Sequence, residues 1–255
     1  MRILLIVAYD GTSYSGWQVQ PGQLTIEGKI NEALKALTKE DIKVTGASRT
    51  DAGVSSLGNV CVFDTFSHIP PEKFKYALNT YLPDDIVVKD SYEVSPDFHP
   101  RHADSSKTYE YRIWNDTFPD PTLKRYSYFT YRNIDISKMR EAASYLVGEH
   151  DFGAFCSAGS QVESTIRTIY SIDIIEEKYP DRPTGKMIRI RVKGSGFLYN
   201  MVRIISGTLI DIGKGLMEVA DIERCLLSKK RDTAGPTAPA EGLIMIGIEY
   251  DNPAL

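Results

Sequence analysis

Apolar and polar positions follow two different periods along this chain, and these periods predict its elements. An alternation of period two predicts strands, because successive side chains of a strand point to opposite faces. The predicted strands lie at 3–9, 43–44, 60–63, 108–113, 165–175, 186–193 and 243–250. A period near 3.6 predicts helices. The predicted helices lie at about 26–37, 137–147, 197–212 and 219–227.

Local signals add the starts of two helices. Thr25 precedes the first helical stripe, and threonine is one of the residue types that cap helix N-termini. A proline pair ending at Pro71 opens a further short helix, since proline suits the first helical position. We expect this short helix to carry Phe74, Leu78 and Tyr81 on one face.

The order of these elements predicts an α+β fold in two parts. Residues 97–106 are polar and lack either period, so we expect the boundary there, between subdomains 1–104 and 105–255. Each part shows a strand, a helix and further strands. That order is typical of mostly antiparallel sheets covered by helices on one side.

Composition excludes several classes of protein. Of 255 residues, 42% are hydrophobic and 25% are charged, which is ordinary for a globular protein. No apolar run is long enough to span a bilayer, and the first residues resemble a strand rather than a signal peptide. We therefore expect a cytoplasmic protein that has no membrane partner.

Cysteine and histidine spacing argues against a metal site. Cys61, Cys156 and Cys225 are far apart, which fits neither a disulfide framework nor a zinc site. His99 and His102 could share a helical face, but the proline between them disfavours a regular helix.

Positive charge collects on one predicted strand. The net charge of −4 and pI of about 5.7 lean against nucleic acid by themselves. The strand 186–193, however, places Arg189, Arg191 and Lys193 on one face. Aromatic residues between 126 and 131 interleave with further cations, which suits an RNA backbone and unstacked bases. The alternative is a solvated strand face balanced by acids such as Glu176 and Glu177.

The segment GASRTDAGV (46–54) carries the candidate chemistry. Arg49 lies two residues before Asp51, and small residues flank this acid, so a bulky substrate can approach the backbone closely. A nearby arginine keeps a carboxylate ionised at neutral pH, as a carboxylate nucleophile requires. The alternative is a polar turn in which Asp51 accepts hydrogen bonds from backbone N–H groups.

Several segments together resemble one enzyme family, the TruA family of tRNA pseudouridine synthases. RTDAGV resembles the catalytic motif of that family, and other segments match it in the same order. These segments are YDGTSYSGWQVQ (9–20), LPDDI (82–86), FHPRHADSSKTYEYRIWN (98–115), GEHDFGAF (148–155), GSGFLYNMVRIISGTL (194–209) and AEGL (240–243). The resemblance implies a pseudouridine-synthase-like fold, with a catalytic cleft between two α/β subdomains.

The resemblance also implies residue roles. Asp51 is implied as the nucleophile, and Arg203 as its ion-pair partner. Tyr109 is expected to stack on the target base and to help move its proton. Arg49 is expected to assist Asp51 or hold the flipped nucleotide, and Leu243 to pack beside the base. Without the resemblance, Tyr109 would be taken for an ordinary sheet tyrosine, whereas an arginine among the apolar neighbours of Arg203 needs a partner.

Partners follow from the same resemblance. The implied substrate is a uridine on the 3′ side of the anticodon stem-loop of tRNA, bound by a homodimer without any cofactor or metal. One departure concerns Ser55, which stands where many family members have histidine and which leaves the choice of uridine open. Two rivals remain, namely an RNA-binding protein that has lost catalysis and a carboxylate-dependent RNA glycosidase that releases free uracil.

Overall fold

The computed structural model describes residues 1–159, 162–179 and 182–251, which form two compact units. The first unit contains residues 1–105 and the C-terminal residues from 245 onward, and the second contains residues 106–244. The last strand therefore contributes mainly to the first unit, whereas the sequence predicted a second subdomain of residues 105–255.

Ten strands and five α-helices occur within the described residues. The strands are β1 (Arg2–Tyr9), β2 (Thr45–Gly46), β3 (Ser55–Asp64), β4 (Ile86–Val94), β5 (Ser105–Asn115), β6 (Tyr128–Thr130), β7 (Gly148–Asp151), β8 (Ile166–Tyr179), β9 (Arg182–Gly194) and β10 (Leu243–Tyr250). The helices are α1 (Ile26–Thr38), α2 (Phe74–Leu78), α3 (Ile136–Ser144), α4 (Met201–Gly213) and α5 (Asp221–Ser228). Both element types in both units confirm the α+β class. Within the described part of the chain, no helix has the length and apolar character needed to cross a membrane.

The first unit is a sheet of order β4-β1-β3-β10, with β2 paired to β3. β1 runs antiparallel to both β3 and β4. One core cluster joins β1 to α1 and α2 and contains, among others, Ile3, Leu5, Val7, Ile30, Leu34, Phe74 and Leu78. Thr25 caps α1 as predicted, because its hydroxyl accepts the Gly28 amide N–H at 3.3 Å.

The second unit is a sheet of order β5-β9-β8-β7, with β6 parallel to β5 at its end. Register fixes its two faces, because directly opposed residues of an antiparallel pair share a face. Tyr109 opposes Val192 on one face, and Glu110 opposes Arg191 on the other. α3 packs against α4 and β8.

Three sequence-based expectations about elements were wrong. The strand expected at 43–44 is a two-residue strand at Thr45–Gly46. β3 begins at Ser55 rather than near residue 60, because Tyr9 and Val7 of β1 pair with Ser56 and Asn59. Tyr81 does not join Phe74 and Leu78 in the core; α2 ends at Leu78 and leaves Tyr81 52% exposed.

Candidate active site

Asp51 lies in a tight turn between β2 and β3. The Val54 amide N–H donates to the Asp51 carbonyl at 3.1 Å, which closes the turn. Gly53 adopts a φ of 80°, a left-handed conformation that suits glycine. Thr50 and Val54 are buried, whereas Asp51 is half-buried. The turn is therefore anchored by buried residues on both sides of Asp51, and Asp51 itself stays partly accessible to solvent.

The loop after β1 holds this turn through main-chain contacts. The Trp17 amide N–H donates to the Thr50 carbonyl at 3.0 Å, and the Gly53 amide N–H donates to the Tyr14 carbonyl at 3.2 Å. A Cβ added at Gly11 would lie 2.0 Å from the Val54 carbonyl oxygen, so this approach requires glycine. The two most specific segments of the sequence, 9–20 and 46–54, are thus packed together.

Ser55 has a structural place in this contact. It is buried, and its hydroxyl accepts the Gly11 amide N–H at 3.0 Å. Ser55 therefore ties the loop after β1 to the end of the turn that carries Asp51.

A second arginine lies beside Arg49. The Nε of Arg101 donates to the Gly46 carbonyl at 2.9 Å, at the start of the segment 46–54. Burial lowers the pKa of the Arg101 guanidinium below its usual value, and the charge of Arg49 lowers this pKa further. Arg101 was not among the predicted site residues, although it lies within the segment 98–115 that carries the resemblance. The pair makes the surroundings of the turn attractive to an anion such as a phosphate.

Tyr109 and the residues around it belong to the second unit. Tyr109 lies on β5, and only 7% of it is exposed. Its ring meets Phe197 edge to face, at 5.4 Å between centroids and 89° between planes, an arrangement that aromatic rings favour. This packing fixes the ring plane, which a stacking platform needs. Leu243, the first residue of β10, is also buried.

Arg203 lies on the first turn of α4. Its Nε donates to the Ala238 carbonyl at 2.8 Å, and its Nη1 donates to the Asn200 Oδ1, also at 2.8 Å. The Arg203 carbonyl accepts the Ala238 amide N–H at 3.1 Å. The guanidinium is therefore held in a fixed orientation by its own unit. Its pairing with Asp51 stays a prediction.

Arg189 and Arg191 of β9 lie beside a buried carboxylate. The Glu110 side chain is only 2% exposed, and its Oε2 lies 2.7 Å from Nη2 of Arg191. Its Oε1 lies 2.8 Å from Nε of Arg112 and 3.9 Å from Nε of Arg189. Burial by itself would raise the pKa of the Glu110 carboxyl. The hydrogen bonds and charges of Arg112 and Arg191 outweigh it and lower this pKa below its usual value.

One acid of β8 completes this cluster. Arg189 pairs with Glu177. Glu176 pairs instead with Lys186, at 3.4 Å. Arg189 and Arg191 are thus balanced by carboxylates, as the alternative of a charge-balanced strand requires. We call Arg189, Arg191 and Lys193 the cation row.

The cation row and Tyr109 lie on opposite faces of the β5–β9 strand pair. Tyr109 shares its face with Val192, whereas the row shares its face with Glu110. A nucleotide bound against one face of this strand pair therefore cannot contact both Tyr109 and the cation row. The described residues contain no group of three or more histidine, cysteine or acidic side chains suited to a metal ion.

Comparison with known proteins gives a consistent result. A family model described as tRNA pseudouridine synthase matches residues 5–102 and 142–251. The chain is 45% identical to the tRNA pseudouridine synthase A of Acetivibrio thermocellus, and the match covers 98% of this chain and 99% of that one. It is likewise 45% identical to the protein of that name from Brevibacillus brevis, with the same coverage. With the protein of that name from Bacillus licheniformis it shares 43% identity, over 99% of this chain and all of that one.

Proposed function

Because the chain belongs to the tRNA pseudouridine synthase A (TruA) family, we propose that it isomerises uridine to pseudouridine in the anticodon stem-loop of tRNA, with the Asp51 carboxylate as nucleophile. One observation supports the choice of Asp51 in particular. It lies in a turn whose neighbours Thr50 and Val54 are buried, while Asp51 itself keeps solvent access. A rigidly held and accessible carboxylate is the arrangement that nucleophilic catalysis needs.

The reaction is an isomerisation. The bond between N1 of uracil and C1′ of the ribose breaks, the base rotates, and a bond forms between C5 and C1′. C5 loses its proton and N1 gains one, so atoms balance and no oxidant or reductant is consumed. We propose that the Tyr109 hydroxyl assists the proton movement, and that Arg203 keeps the Asp51 carboxylate ionised.

The target base must leave its stack to reach Asp51. In this proposal Tyr109 receives the base by stacking, because its ring plane is fixed by Phe197. Leu243 packs beside the base. Arg49, which is exposed, holds the flipped nucleotide together with the nearby charge of Arg101. Arginine suits this role because its fork of donors matches phosphate oxygens.

We also propose that the enzyme works as a homodimer in the cytoplasm, where its tRNA substrate is found. Light scattering at micromolar concentration should give twice the mass of 28.6 kDa. A monomer mass at the concentration used for activity assays would contradict the dimer and leave the assignment of the reaction untouched.

A product assay tests the function itself. Wild-type protein is incubated with a tRNA labelled in its uracil rings, and the digested nucleosides and the free bases are separated. Pseudouridine is the expected product. Free uracil would identify an RNA glycosidase, and unchanged uridine with retained tRNA binding would identify a binding protein; either result would overturn the proposal.

A further inference from the structure

A chain of buried polar groups runs beneath the catalytic turn. Asn59 Nδ2 donates to the Ser48 carbonyl at 3.0 Å and to the Tyr9 hydroxyl at 3.3 Å. The Tyr9 hydroxyl shares a further hydrogen bond of 2.8 Å with the Thr50 hydroxyl. Asn59 is 0% exposed, and Tyr9 and Thr50 are nearly as buried. We call Tyr9, Thr50 and Asn59 the buried relay.

The orientation of the Asn59 amide is set by its neighbours. Its Oδ1 accepts the Val60 amide N–H at 2.9 Å, and a backbone N–H can only donate. Its Nδ2 faces the Ser48 carbonyl, which can only accept. A flipped amide would place like groups against each other at both contacts. The Asn59 amide therefore has one favourable orientation.

The relay reaches the residues that immediately precede the proposed nucleophile. Ser48 and Thr50 flank Arg49, and Thr50 is bonded covalently to Asp51. The relay begins on the central strands of the first unit, since Tyr9 ends β1 and Asn59 lies within β3. It therefore connects the rigid sheet to the backbone that carries Asp51.

We propose that Tyr9 and Asn59 are positioning residues of the isomerase reaction, which fix Thr50 and thereby hold Asp51 at its reacting position. This inference rests on the proposed function. Neither side chain needs to touch the substrate, because both are buried. Their effect passes through the Thr50 hydroxyl and the Ser48 carbonyl.

The burial of the relay explains why such an effect should be large. If the Tyr9 hydroxyl is removed, the Thr50 hydroxyl and one N–H of Asn59 lose a partner where water cannot replace it. The strand pairing of β1 with β3 is made by backbone groups and persists. Residues 48–50 can then shift so that these unpaired groups find new partners, and this shift moves Asp51. A misplacement of about 1 Å can cost about a hundredfold in rate.

Two nearly isosteric variants test the proposal. Tyr9→Phe and Thr50→Val each delete one partner of the same hydrogen bond. We expect each to lower the single-turnover rate at saturating tRNA by about ten- to a hundredfold. The dissociation constant for tRNA should change by less than about twofold, because each substitution removes only a hydrogen bond within the protein.

Thr65→Val is the matched control. Thr65 is buried in the same unit, at the end of β3, and its hydroxyl donates to Glu40 Oε1 at 2.6 Å. The control makes the same chemical change as Thr50→Val and also loses a side-chain hydrogen bond, here a partly buried one. We expect it to lose thermal stability and to keep the wild-type rate.

The double variant Tyr9→Phe/Thr50→Val sharpens the test. Both substitutions remove the same bond, so the double variant should be about as slow as the slower single variant rather than slower by the product. Suppose that wild-type protein forms pseudouridine and that Tyr9→Phe and Thr50→Val keep the wild-type rate. If these two variants lose only stability, as Thr65→Val does, the positioning role is wrong. If Tyr9→Phe does not fold, the rate of Thr50→Val decides by the same criterion. Wild-type protein that forms no pseudouridine would instead overturn the proposed function.

Discussion

Two polar regions of the molecule differ in what holds their charged residues. In the first unit, the catalytic turn is supported by neutral hydrogen bonds to its backbone and to the Thr50 hydroxyl. In the second unit, Arg189 and Arg191 of the cation row are held by carboxylates. Neutral hydrogen bonds fix a backbone without neutralising charge, whereas ion pairs fix a guanidinium and balance it. The first kind of support therefore suits a reacting group, and the second kind suits a stabilising cluster.

The largest effect should come from the catalytic turn. Asp51→Asn keeps the shape of the side chain and removes the carboxylate, so pseudouridine formation should fall below detection while tRNA affinity stays nearly unchanged. The matched control is Asp64→Asn, which breaks an exposed ion pair with Arg2 at the end of β3. It should remain fully active. Substantial turnover by a sequence-verified Asp51→Asn protein would remove Asp51 from the mechanism.

Arg203→Leu should come next in size. We expect a loss of at least about a hundredfold in turnover, because the proposed counter-charge of Asp51 is gone. The Ala238 carbonyl and Asn200 lose a charged donor. Stability should therefore fall by about 1–3 kcal/mol.

Arg140→Leu is the control for this variant. Its guanidinium likewise donates to a backbone carbonyl, that of Ile174, at 2.9 Å. It should lose comparable stability and keep its activity. A fully active Arg203→Leu protein would show that Arg203 is not the partner of Asp51.

Tyr109→Phe should have an intermediate effect. The ring still stacks, so tRNA binding should change little, whereas turnover should fall by about tenfold or more if the hydroxyl assists proton movement. Tyr111→Phe is the control, since Tyr111 lies on the same face of β5 and donates to the Pro239 carbonyl at 3.0 Å. Wild-type turnover by Tyr109→Phe would reduce Tyr109 to a stacking platform.

Glu110→Gln tests the ion-paired cluster of the second unit. At neutral pH it should cost about 1–3 kcal/mol of stability, because two guanidiniums lose a charged acceptor, and turnover should stay near wild type. The pKa of the Glu110 carboxyl is lowered in the folded protein, so its contribution is present above the unfolded pKa and is lost as pH falls through the folded pKa. The stability difference between wild type and variant should therefore shrink in acid. A difference independent of pH would contradict the ion-pair account.

The smallest effect on chemistry should come from the cation row itself. Changing Arg189, Arg191 and Lys193 to Gln would flatten the slope of log affinity against log salt by up to about three units if all three bound phosphates. Because Arg189 and Arg191 are paired with acids, we expect a smaller change of slope together with a clear loss of thermal stability. Turnover at saturating tRNA should barely change.

The control for the cation row removes three positive charges from the first unit. Lys29, Lys35 and Lys39 of α1 and its C-cap are changed to Gln together. A slope change of about three units in the row variant, with none in the control, would make the row a tRNA-binding surface and break the contrast between the two regions.

Local signals in the sequence predicted some elements well. The Thr25 cap and the span of β10 follow from short-range chemistry, so the structure confirms both. β4, in contrast, was not predicted: lysine, aspartate and serine interrupt its apolar positions, and the strand is defined by pairing with β1. The strand predicted at 60–63 omitted residues 55–59 for the same reason, since their strand partner is distant in sequence.

The candidate site was likewise predictable only where its signal is local in the sequence. The motif around Asp51 predicted which residues to consider, because small residues around a charged pair are visible in the sequence. The roles of Asn59 and Tyr9 were not visible, since they depend on contacts across 11 and 41 residues. The alternation of β9 predicted the shared face of the cation row. It could not predict Glu110, which reaches Arg191 from 81 residues away.

Mapping pseudouridine in cells tests the central claim most directly. A strain lacking the gene for this protein is complemented with wild type or with Asp51→Asn, and every uridine of its tRNAs is examined at nucleotide resolution. We predict that pseudouridine in the anticodon stem-loop disappears in the deletion strain, returns with wild type, and stays absent with Asp51→Asn. Restoration by Asp51→Asn, or anticodon stem-loops unchanged by the deletion, would contradict the account.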